Sequence, residues 1–394
     1  MRVSSDQWTI STLAGRGEPG FGGDGGPAIH ALLNEPKSVA LGPNRTVYIA
    51  DSENHRIRRV DVATGLIMTV AGADHDAPKP SKRPAAGGET TDEDPFASEA
   101  EPASYVNVSD LSGTVRFVVG SAESRFGGDG GPAVEATLNF PSSVAVDTDG
   151  TLYIADTMNH RVRKVDTAGR IRTFAGTGQR RFSGDGGQAT AAALHEPSAL
   201  ALAAGVLYIA DQGNNRVRAV DLHSGIITTV AGTGEAAYNG DGMPATESGV
   251  AGPSGLAIGP NGELLIADTF NGRIRAVDPT TKTIRTVTGD GSSYRYQGLD
   301  GEFSTSLSRP YGIAVDRGGH LWITDSDSHL IRKWDAVKKV ITRVAGSGTA
   351  GYAGDGGAPA DSSLNYPFGV AVDERGSVYI ADTFNHRIRM IAAG

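Results

Sequence analysis

The sequence contains no cysteine, no apolar run long enough to cross a bilayer, and fewer basic than acidic residues. The lack of cysteine excludes a disulfide scaffold, a thiolate metal site and a cysteine nucleophile. Because residues 1–8 are also too polar for a secretory signal, we expect a soluble chain without membrane association, cytoplasmic by default. The 36 Lys and Arg residues against 45 Asp and Glu residues give a net charge of -9. This balance argues against nucleic-acid binding, which depends on basic surface.

What the sequence does have is a six-fold internal repeat with three landmarks in fixed order. The first is a glycine-rich loop whose aspartate, here called the loop aspartate, recurs at Asp24, Asp129, Asp185, Asp241, Asp300 and Asp355. The second is a proline, at Pro36, Pro141, Pro197, Pro253, Pro310 and Pro367. The third is a tetrapeptide like Tyr-Ile-Ala-Asp, whose anchor aspartate recurs at Asp51, Asp156, Asp211, Asp268, Asp325 and Asp382. Anchors are 55 or 57 residues apart, except for a first step of 105. Self-similarity at a fixed period indicates a repeat architecture.

Each unit has the pattern of four short strands. In the second unit, alternating apolar positions mark strands at 143–146, 152–155, 161–165 and 171–174, separated by polar turns. Hairpin-linked antiparallel strands have this pattern, and a four-stranded unit repeated radially is a propeller blade. The sequence therefore predicts an all-β, six-bladed propeller with four-stranded antiparallel blades, forming a single domain over residues 1–394.

The two ends of the chain predict how the ring closes. The sixth unit stops after its third strand and lacks the Ile-x-Thr-Val-Ala-Gly segment that ends the others. A matching segment lies at the start of the chain, from Trp8 to Gly15. We expect this N-terminal strand to complete the last blade.

One unit carries an insertion, at residues 73–113. Its middle part, 77–103, is rich in Pro, Ala, Glu and Asp and poor in aliphatic residues, a composition typical of a segment that does not order itself. Two flanking segments, 66–72 and 114–120, both have the pattern of the fourth strand of blade 1. The sequence leaves open which of the two forms that strand.

Three of the turns that follow the anchor aspartate carry a family resemblance. Asn54-His55-Arg56, Asn159-His160-Arg161 and Asn385-His386-Arg387 resemble the NHL repeat, which is named after its Asn-His-Leu triplet. The other units depart from it, with Asn214-Asn215-Arg216, Asn271-Gly272-Arg273 and Ser328-His329-Leu330. The resemblance implies a six-bladed propeller with chiefly protein-interaction or ligand-binding roles. Some relatives bind RNA on a basic face, and similar propellers include lyases and hydrolases that work at the channel mouth.

Residues repeated six times are interpreted as structural, because one active site does not need six copies. We expect the anchor aspartates to accept backbone N–H bonds in their own turn. An arginine follows each anchor by seven residues, at Arg58, Arg163, Arg218, Arg275, Arg332 and Arg389. We expect these arginines to pair with the loop aspartates and to pin the long loops to the blades.

Functional residues are expected where equivalent positions differ. The turn after the second strand and the loop after the fourth emerge on one face, here called the motif face, and the residues that flank each repeated proline would surround the channel mouth there. The predicted ligand-binding residues are Glu35, Lys37, Phe140, Arg309, Tyr311, Tyr366 and Phe368, with Tyr294, Arg295 and Tyr296 in the long loop of unit five.

Two smaller groups are candidates for chemistry. His195 with Glu196 is the predicted acid–base pair, because histidine titrates near neutrality and a carboxylate can orient it. Asp325 and Asp327, two residues apart, are the candidate ligands of a divalent cation such as Ca²⁺; no other cofactor is predicted. The leading interpretation is a monomeric scaffold that holds a protein partner or a small ligand at the channel mouth. The alternative is a propeller lyase or hydrolase acting at the same mouth, with or without an axial metal ion.

Overall fold

A computed structural model describes residues 8–73, 126–292 and 306–393. It contains six four-stranded antiparallel sheets, each forming one blade. Blade 1 comprises β2 (Pro36–Gly42), β3 (Thr46–Asp51), β4 (Arg56–Asp61) and β5 (Leu66–Ala71). Blade 2 comprises β6 (Pro141–Val146), β7 (Leu152–Asp156), β8 (Arg161–Val165) and β9 (Ile171–Ala175). Blade 3 comprises β10 (Pro197–Ala203), β11 (Val206–Asp211), β12 (Arg216–Asp221) and β13 (Ile227–Ala231).

The second half of the ring repeats this order. Blade 4 comprises β14 (Pro253–Ile258), β15 (Leu264–Asp268), β16 (Arg273–Val277) and β17 (Ile284–Thr288). Blade 5 comprises β18 (Pro310–Val315), β19 (Leu321–Asp325), β20 (Leu330–Trp334) and β21 (Ile341–Ala345). Blade 6 comprises β22 (Pro367–Val372), β23 (Val378–Asp382), β24 (Arg387–Ala393) and β1 (Trp8–Ala14). The predicted propeller is confirmed.

The helical content of the described residues consists of three-residue 3-10 turns. One follows the second strand of every blade, at Ser52–Asn54, Thr157–Asn159, Gln212–Asn214, Thr269–Asn271, Ser326–Ser328 and Thr383–Asn385. The others are Ala28–His30, Pro43–Arg45, Ala133–Glu135, Ala189–Ala191, Ala245–Glu247 and Pro359–Asp361. None of these helical turns has the length or hydropathy needed to cross a bilayer.

The innermost strands of neighbouring blades contact each other around a closed ring, from β2 through β6, β10, β14, β18 and β22 back to β2. The hydrophobic core lies between successive blades. Between blades 2 and 3, for example, Tyr153 packs in one cluster with Leu207 and Val220. Because each sheet is covered on both faces, the second strand of blade 2 is buried at all five residues.

The N-terminal strand closes the last blade, as predicted. β1 pairs antiparallel with β24, with Trp8 opposite Ala393 and Ile10 opposite Ile391. Ile10 and Ala14 are fully buried. The two ends of the chain are therefore held in one sheet.

The outer strand of blade 1 is β5, which pairs antiparallel with β4. Of the two segments that had the pattern of the fourth strand of blade 1, the one at 66–72 therefore supplies that strand, as Leu66–Ala71. The competing segment 114–120 and nearly all of the insertion lie outside the described residues. The bounds of the insertion stay a prediction.

Candidate binding site at the channel mouth

The repeated prolines and the anchor aspartates meet on the motif face. Each inner strand begins at its proline, and that proline lies opposite the anchor aspartate that ends the second strand, as Pro141 does with Asp156. The start of the inner strand, the turn after the second strand and the arriving long loop are therefore neighbours. The residue before each proline has positive φ, with values of 46° at Glu35, 47° at Phe140, 52° at Glu196, 55° at Gly252, 115° at Arg309 and 48° at Tyr366.

The anchor aspartates organise this end of each blade. In blade 2, Asp156 Oδ1 accepts the backbone N–H of Asn139 at 2.7 Å. Asp156 Oδ2 accepts from Asn159 Nδ2 at 2.8 Å and from Arg163 Nη1 at 3.2 Å. The prediction that the anchor aspartate accepts a backbone N–H of its own turn is therefore wrong, because the backbone donor is the residue two positions before the proline of the inner strand. Burial raises the pKa of Asp156 to about 6, against the opposing effects of Arg163 and these hydrogen bonds, so the carboxylate is ionised at pH 7.

The fully buried arginines join each anchor aspartate to a loop aspartate. Arg163 Nη2 lies 2.6 Å from Asp129 Oδ1, and the same pairing recurs as Arg58–Asp24, Arg218–Asp185, Arg275–Asp241 and Arg389–Asp355. The predicted pairing is thus present in five blades, while Asp300 of blade 5 lies outside the described residues. Partial burial alone would raise the pKa of Asp129, but hydrogen bonds from Thr173 and the Arg163 charge bring that pKa below its ordinary value. These arginine–aspartate ion pairs therefore hold the long loops against their blades.

Neighbouring blades are linked by a ring of hydroxyl donors. The residue after the anchor donates its hydroxyl to the carbonyl oxygen of the next blade's proline, as Thr157 does to Pro197 at 2.8 Å. Equivalent bonds join Ser52 to Pro141, Thr269 to Pro310, Ser326 to Pro367 and Thr383 to Pro36. Blade 3 has Gln212 at this position, and there Ser198 of the inner strand donates to Pro253 at 3.0 Å instead.

The middle residue of the Asn-His-Leu-like triplet provides a second link between blades. His160 Nδ1 accepts the backbone N–H of Glu196 at 3.2 Å, and His55, His329 and His386 accept those of Phe140, Tyr366 and Glu35. In blade 3 the Asn215 side-chain oxygen accepts the Gly252 N–H at 2.9 Å. Gly272 has no side chain to do so, and its neighbour Arg309 has the most divergent φ of the six. The acceptors hold the strained residues in place.

Four of the predicted mouth residues lie together across blades 5 and 6. The Tyr311 and Phe368 rings are 4.5 Å apart, and Tyr366 contacts the imidazole of His329, also at 4.5 Å. Arg309 Nε lies 3.3 Å from Asp327 Oδ2. Burial raises the pKa of Tyr311 to about 12, so its hydroxyl stays protonated at neutral pH.

Sequence reasoning missed two aromatic residues in this region. Phe384 lies 5.3 Å from the Tyr366 ring and 6.1 Å from the Phe368 ring. Phe270 lies 5.8 Å from the Arg309 guanidinium carbon and is 59% exposed. Both occupy the middle of the turn after the second strand, a position that varies among the units as Glu53, Met158, Gly213, Phe270, Asp327 and Phe384. That variation was the available signal. We call Phe270, Tyr311, Tyr366, Phe368 and Phe384 the aromatic sector.

The other predicted mouth residues lie outside the aromatic sector. Glu35 and Lys37 belong to blade 1, where burial raises the pKa of Glu35 and lowers that of Lys37, whose charge is favoured by Glu53 and Glu35. Phe140 packs edge-on against His55, with ring centroids 4.6 Å apart. Tyr294, Arg295 and Tyr296 lie outside the described residues, so their role stays a prediction.

Below the mouth, the inner strands enclose a channel cavity of about 280 Å³. Lys37 and Phe368 line it on one side, and Ser142, Ser198 and Ser254 on the other. Directly after the prolines its wall therefore has serines on blades 2–4 and a phenylalanine on blade 6, and farther along the strands it is lined by aliphatic residues such as Val144, Leu200 and Leu256.

His195 and Glu196 do lie together, but with a third partner. His195 Nε2 is 3.4 Å from Glu196 Oε1, and Arg180 Nε donates to the same nitrogen at 2.6 Å. Arg180 also lies 3.5 Å from Glu196. Arg180 thus contacts both members of the predicted acid–base pair.

The two candidate cation ligands each pair with a different arginine. Asp325 faces Arg332 at 3.3 Å and accepts the Ser308 N–H at 2.7 Å, whereas Asp327 faces Arg309. Within residues 8–73, 126–292 and 306–393, no three His, Asp or Glu side chains converge in a way that would hold a metal ion.

Comparison with protein families matches the NHL repeat at residues 33–60, 307–334 and 364–389. The Teneurin NHL domain matches residues 102–181. Protein SUPPRESSOR OF QUENCHING 1 of Arabidopsis thaliana chloroplasts is 34% identical over 271 residues, which cover 65% of this chain and 25% of that protein. NHL repeat-containing protein 2 of Bos taurus is 27% identical over 311 residues, covering 71% of this chain and 42% of the relative. The chain thus spans less than half the length of either relative.

Two solved structures share the fold at low identity. An auxiliary nutrient binding protein from Bacteroides thetaiotaomicron has a TM-score of 0.59 at 15% identity, covering 98% of this chain and 76% of that chain. A gluconolactonase from Xanthomonas campestris has a TM-score of 0.54 at 13% identity, covering 98% and 89%. At these identities the likeness concerns the fold alone.

Proposed function

Because this chain is a six-bladed propeller built of NHL repeats, we propose that it is a recognition scaffold that holds a segment of a partner protein at the channel mouth. NHL propellers commonly mediate protein interactions. The observation that carries the proposal is the aromatic sector. It breaks the six-fold symmetry across blades 4–6, next to the variable residues that flank the prolines.

The composition of the aromatic sector suits a protein partner. Tyrosine and arginine are enriched among the residues that dominate binding energy at protein interfaces, and aromatic rings supply large contact areas. The Asp327 carboxylate holds Arg309 beside Phe270, whose ring is largely exposed. The sector continues into the channel cavity through Phe368. A bound segment would therefore lie across blades 4–6 and place one side chain in the channel.

The proposal is tested by selecting binding peptides from a random phage-displayed library on the full chain and measuring their affinities by calorimetry. We expect Arg309→Ala with Tyr311→Ala to raise the Kd at least about tenfold, the effect of losing an interface anchor. Phe270→Ala should weaken binding without changing the melting temperature, because this ring is 59% exposed.

The matched control is Val337→Ala, which alters an 82% exposed apolar residue in the hairpin between β20 and β21, away from the motif face. Its affinity should equal that of the unaltered chain. Peptides that bind the Arg309→Ala, Tyr311→Ala variant as tightly as the unaltered chain would move the recognition site elsewhere.

A further inference from the structure

A second cavity, of about 230 Å³, lies between blades 4 and 5. It is on the hairpin face, opposite the motif face, where Pro260 of the β14–β15 turn packs near Gly319 of the β18–β19 turn. Leu265, Leu321 and Trp334 form its apolar floor and walls, and Glu263, Arg285 and Lys339 form its charged rim. It shares no residue with the aromatic sector.

The repeat shows how this joint differs from the others. Three residues before the anchor, five units have an aromatic residue and unit four has leucine: Tyr48, Tyr153, Tyr208, Leu265, Trp322 and Tyr379. In blade 2, Tyr153 is 2% exposed and fills the space against Leu207 and Val220 of blade 3. Leu265 occupies the corresponding cluster against Leu321 and Trp334 of blade 5.

The wall on blade 5, which faces Leu265, has an aromatic residue where the other units have an aliphatic one. Nine residues after the anchor, in the third strand, the other five units have valine or isoleucine where blade 5 has Trp334, which is 8% exposed. At this joint the large ring therefore lies on the blade 5 side instead of the blade 4 side, and the slot lies beside Leu265 and the indole of Trp334.

The rim favours a negative charge. Arg285 Nη2 lies 3.3 Å from Glu263 Oε1, and the Arg285 side chain is 56% exposed, which leaves other donors of its guanidinium facing solvent. Lys339 Nζ lies 4.7 Å from the Trp334 ring centroid. Two cations against one carboxylate give the rim a net positive charge, and Arg is suited to bidentate recognition of carboxylates.

We propose that this slot between blades 4 and 5 binds a small aromatic carboxylate, with its ring against Trp334 and Leu265 and its carboxylate at Arg285 and Lys339. The size is adequate, since a cavity of roughly 150 Å³ lined by apolar side chains is enough for benzene. The site goes beyond the recognition role of the motif face and does not depend on it.

The probe is 2-naphthoate, with 2-naphthol as its uncharged counterpart, titrated into the full chain by calorimetry and by Trp fluorescence. We expect one saturable site for 2-naphthoate. Arg285→Gln with Lys339→Gln should raise its Kd at least about tenfold, or about 1.4 kcal/mol, and should change the 2-naphthol affinity much less. Both rim residues are exposed, so this variant does not test the fold.

A second slot variant copies the joint between blades 2 and 3. Leu265→Tyr with Trp334→Val reproduces the Tyr153–Val220 pairing of blades 2 and 3, so a folded product is expected. It should abolish 2-naphthoate binding at an unchanged or higher melting temperature. Arg309→Ala with Tyr311→Ala should leave 2-naphthoate binding intact. Lack of saturable binding by the unaltered chain, or unchanged affinity in either slot variant, would overturn the proposal.

Discussion

At the scale of single residues, the histidine of the triplet has a structural role that its chemistry explains. An imidazole accepts a hydrogen bond only through an unprotonated nitrogen, and Nδ1 of His160 accepts the Glu196 N–H. Asn215 performs the same task with an amide oxygen. This substitution accounts for the variation of the triplet, and it means that the position is occupied by a hydrogen-bond acceptor in five of six units and is not reserved for catalysis.

This role predicts an acid-dependent stability. Burial lowers the pKa of His160 to about 4, and burial likewise lowers that of His386. At pH values between the unfolded pKa near 6.5 and the lower folded pKa values, these histidines bind more protons in the unfolded chain than in the folded chain. Both residues therefore reduce the stability of the folded chain as pH falls through this range. His160→Asn with His386→Asn should remove this contribution while keeping an acceptor. The melting temperature of the variant should therefore increase relative to that of the unaltered chain as the pH falls from 7 to 4.5.

The comparison between the two chains isolates the histidines. Burial raises the pKa values of Asp51, Asp156, Asp325 and Asp382 to about 6. These aspartates therefore stabilise the folded chain at low pH, opposite to the histidines, and this stabilisation is lost as pH rises between about 4 and 6. This term is common to both chains and cancels in the difference. Parallel pH profiles would show that histidine protonation does not act at these joints.

The loop aspartates make a second prediction at this scale. Asp185 binds Arg218 at 2.6 Å and Thr229 Oγ1 at 2.7 Å, and nothing in these contacts reaches another blade's long loop. Asp185→Ala should destabilise its own loop by about 1.5–3 kcal/mol, the usual worth of a hydrogen bond to a charged group. Amide hydrogen exchange around residues 183–187 should then accelerate roughly 10- to 100-fold.

The equivalent loop of blade 2 serves as an internal reference and should keep its protection. Asp185→Asn retains an oxygen acceptor without the charge, so its exchange rate around residues 183–187 should lie between those of the unaltered chain and of Asp185→Ala. Equal acceleration in both loops would mean that the ion pair acts globally.

At the scale of elements, the glycine-rich loops of blades 1–4 and 6, which the structure describes, pair with the start of the outer strands of their blades. Gly186 N–H donates to Ile227 O at 2.8 Å, and Ile227 N–H donates to Gly187 O at 3.0 Å. Gly186 has a φ of 81°, which only glycine adopts readily, and this places its N–H toward the strand. An exposed strand edge invites pairing with other chains, so these five loops protect part of the outer edge of their blades from aggregation.

The N-terminal strand is the element whose loss should matter most. β1 contributes Ile10 and Ala14 to the core and supplies Thr12, whose hydroxyl donates to Asp355 at 2.6 Å. Deleting residues 1–15 should lower the melting temperature sharply, since Ile10→Ala alone is expected to cost about 2–5 kcal/mol.

Deleting only residues 1–7 is the control, because β1 begins at Trp8. This shorter deletion should leave the transition nearly unchanged. Both unfolding transitions are followed by circular dichroism, and equal melting temperatures for the two deletions would contradict the stabilising role of β1.

At the scale of the whole molecule, blades 4–6 carry several departures from symmetry that face the two proposed sites. The joint between blades 4 and 5 lacks the triplet acceptor at Gly272, has the most divergent φ at Arg309, and contains the slot beside Trp334. The aromatic sector lies on the motif face of the same blades. A rigid ring therefore presents two chemically different surfaces on opposite faces, and their variants should act independently because they share no contacts.

The periodic pattern by itself determined the number of blades, the four strands in each, the closing strand at Trp8 and the arginine–aspartate pairs. These follow from the sequence because each depends on spacing within one unit, or on the absence of one strand from the last unit. The residues that flank the prolines were also located in this way, since they vary against a constant frame.

Only the tertiary structure decided which of those residues meet. Tyr311 and Phe368 come from units 57 residues apart and touch because inner strands converge at the axis. Leu265 and Trp334 are paired by the packing of neighbouring blades, and His386 reaches Glu35 only because the ring closes. Contacts between blades depend on side-chain direction and ring geometry, which spacing along the chain does not specify.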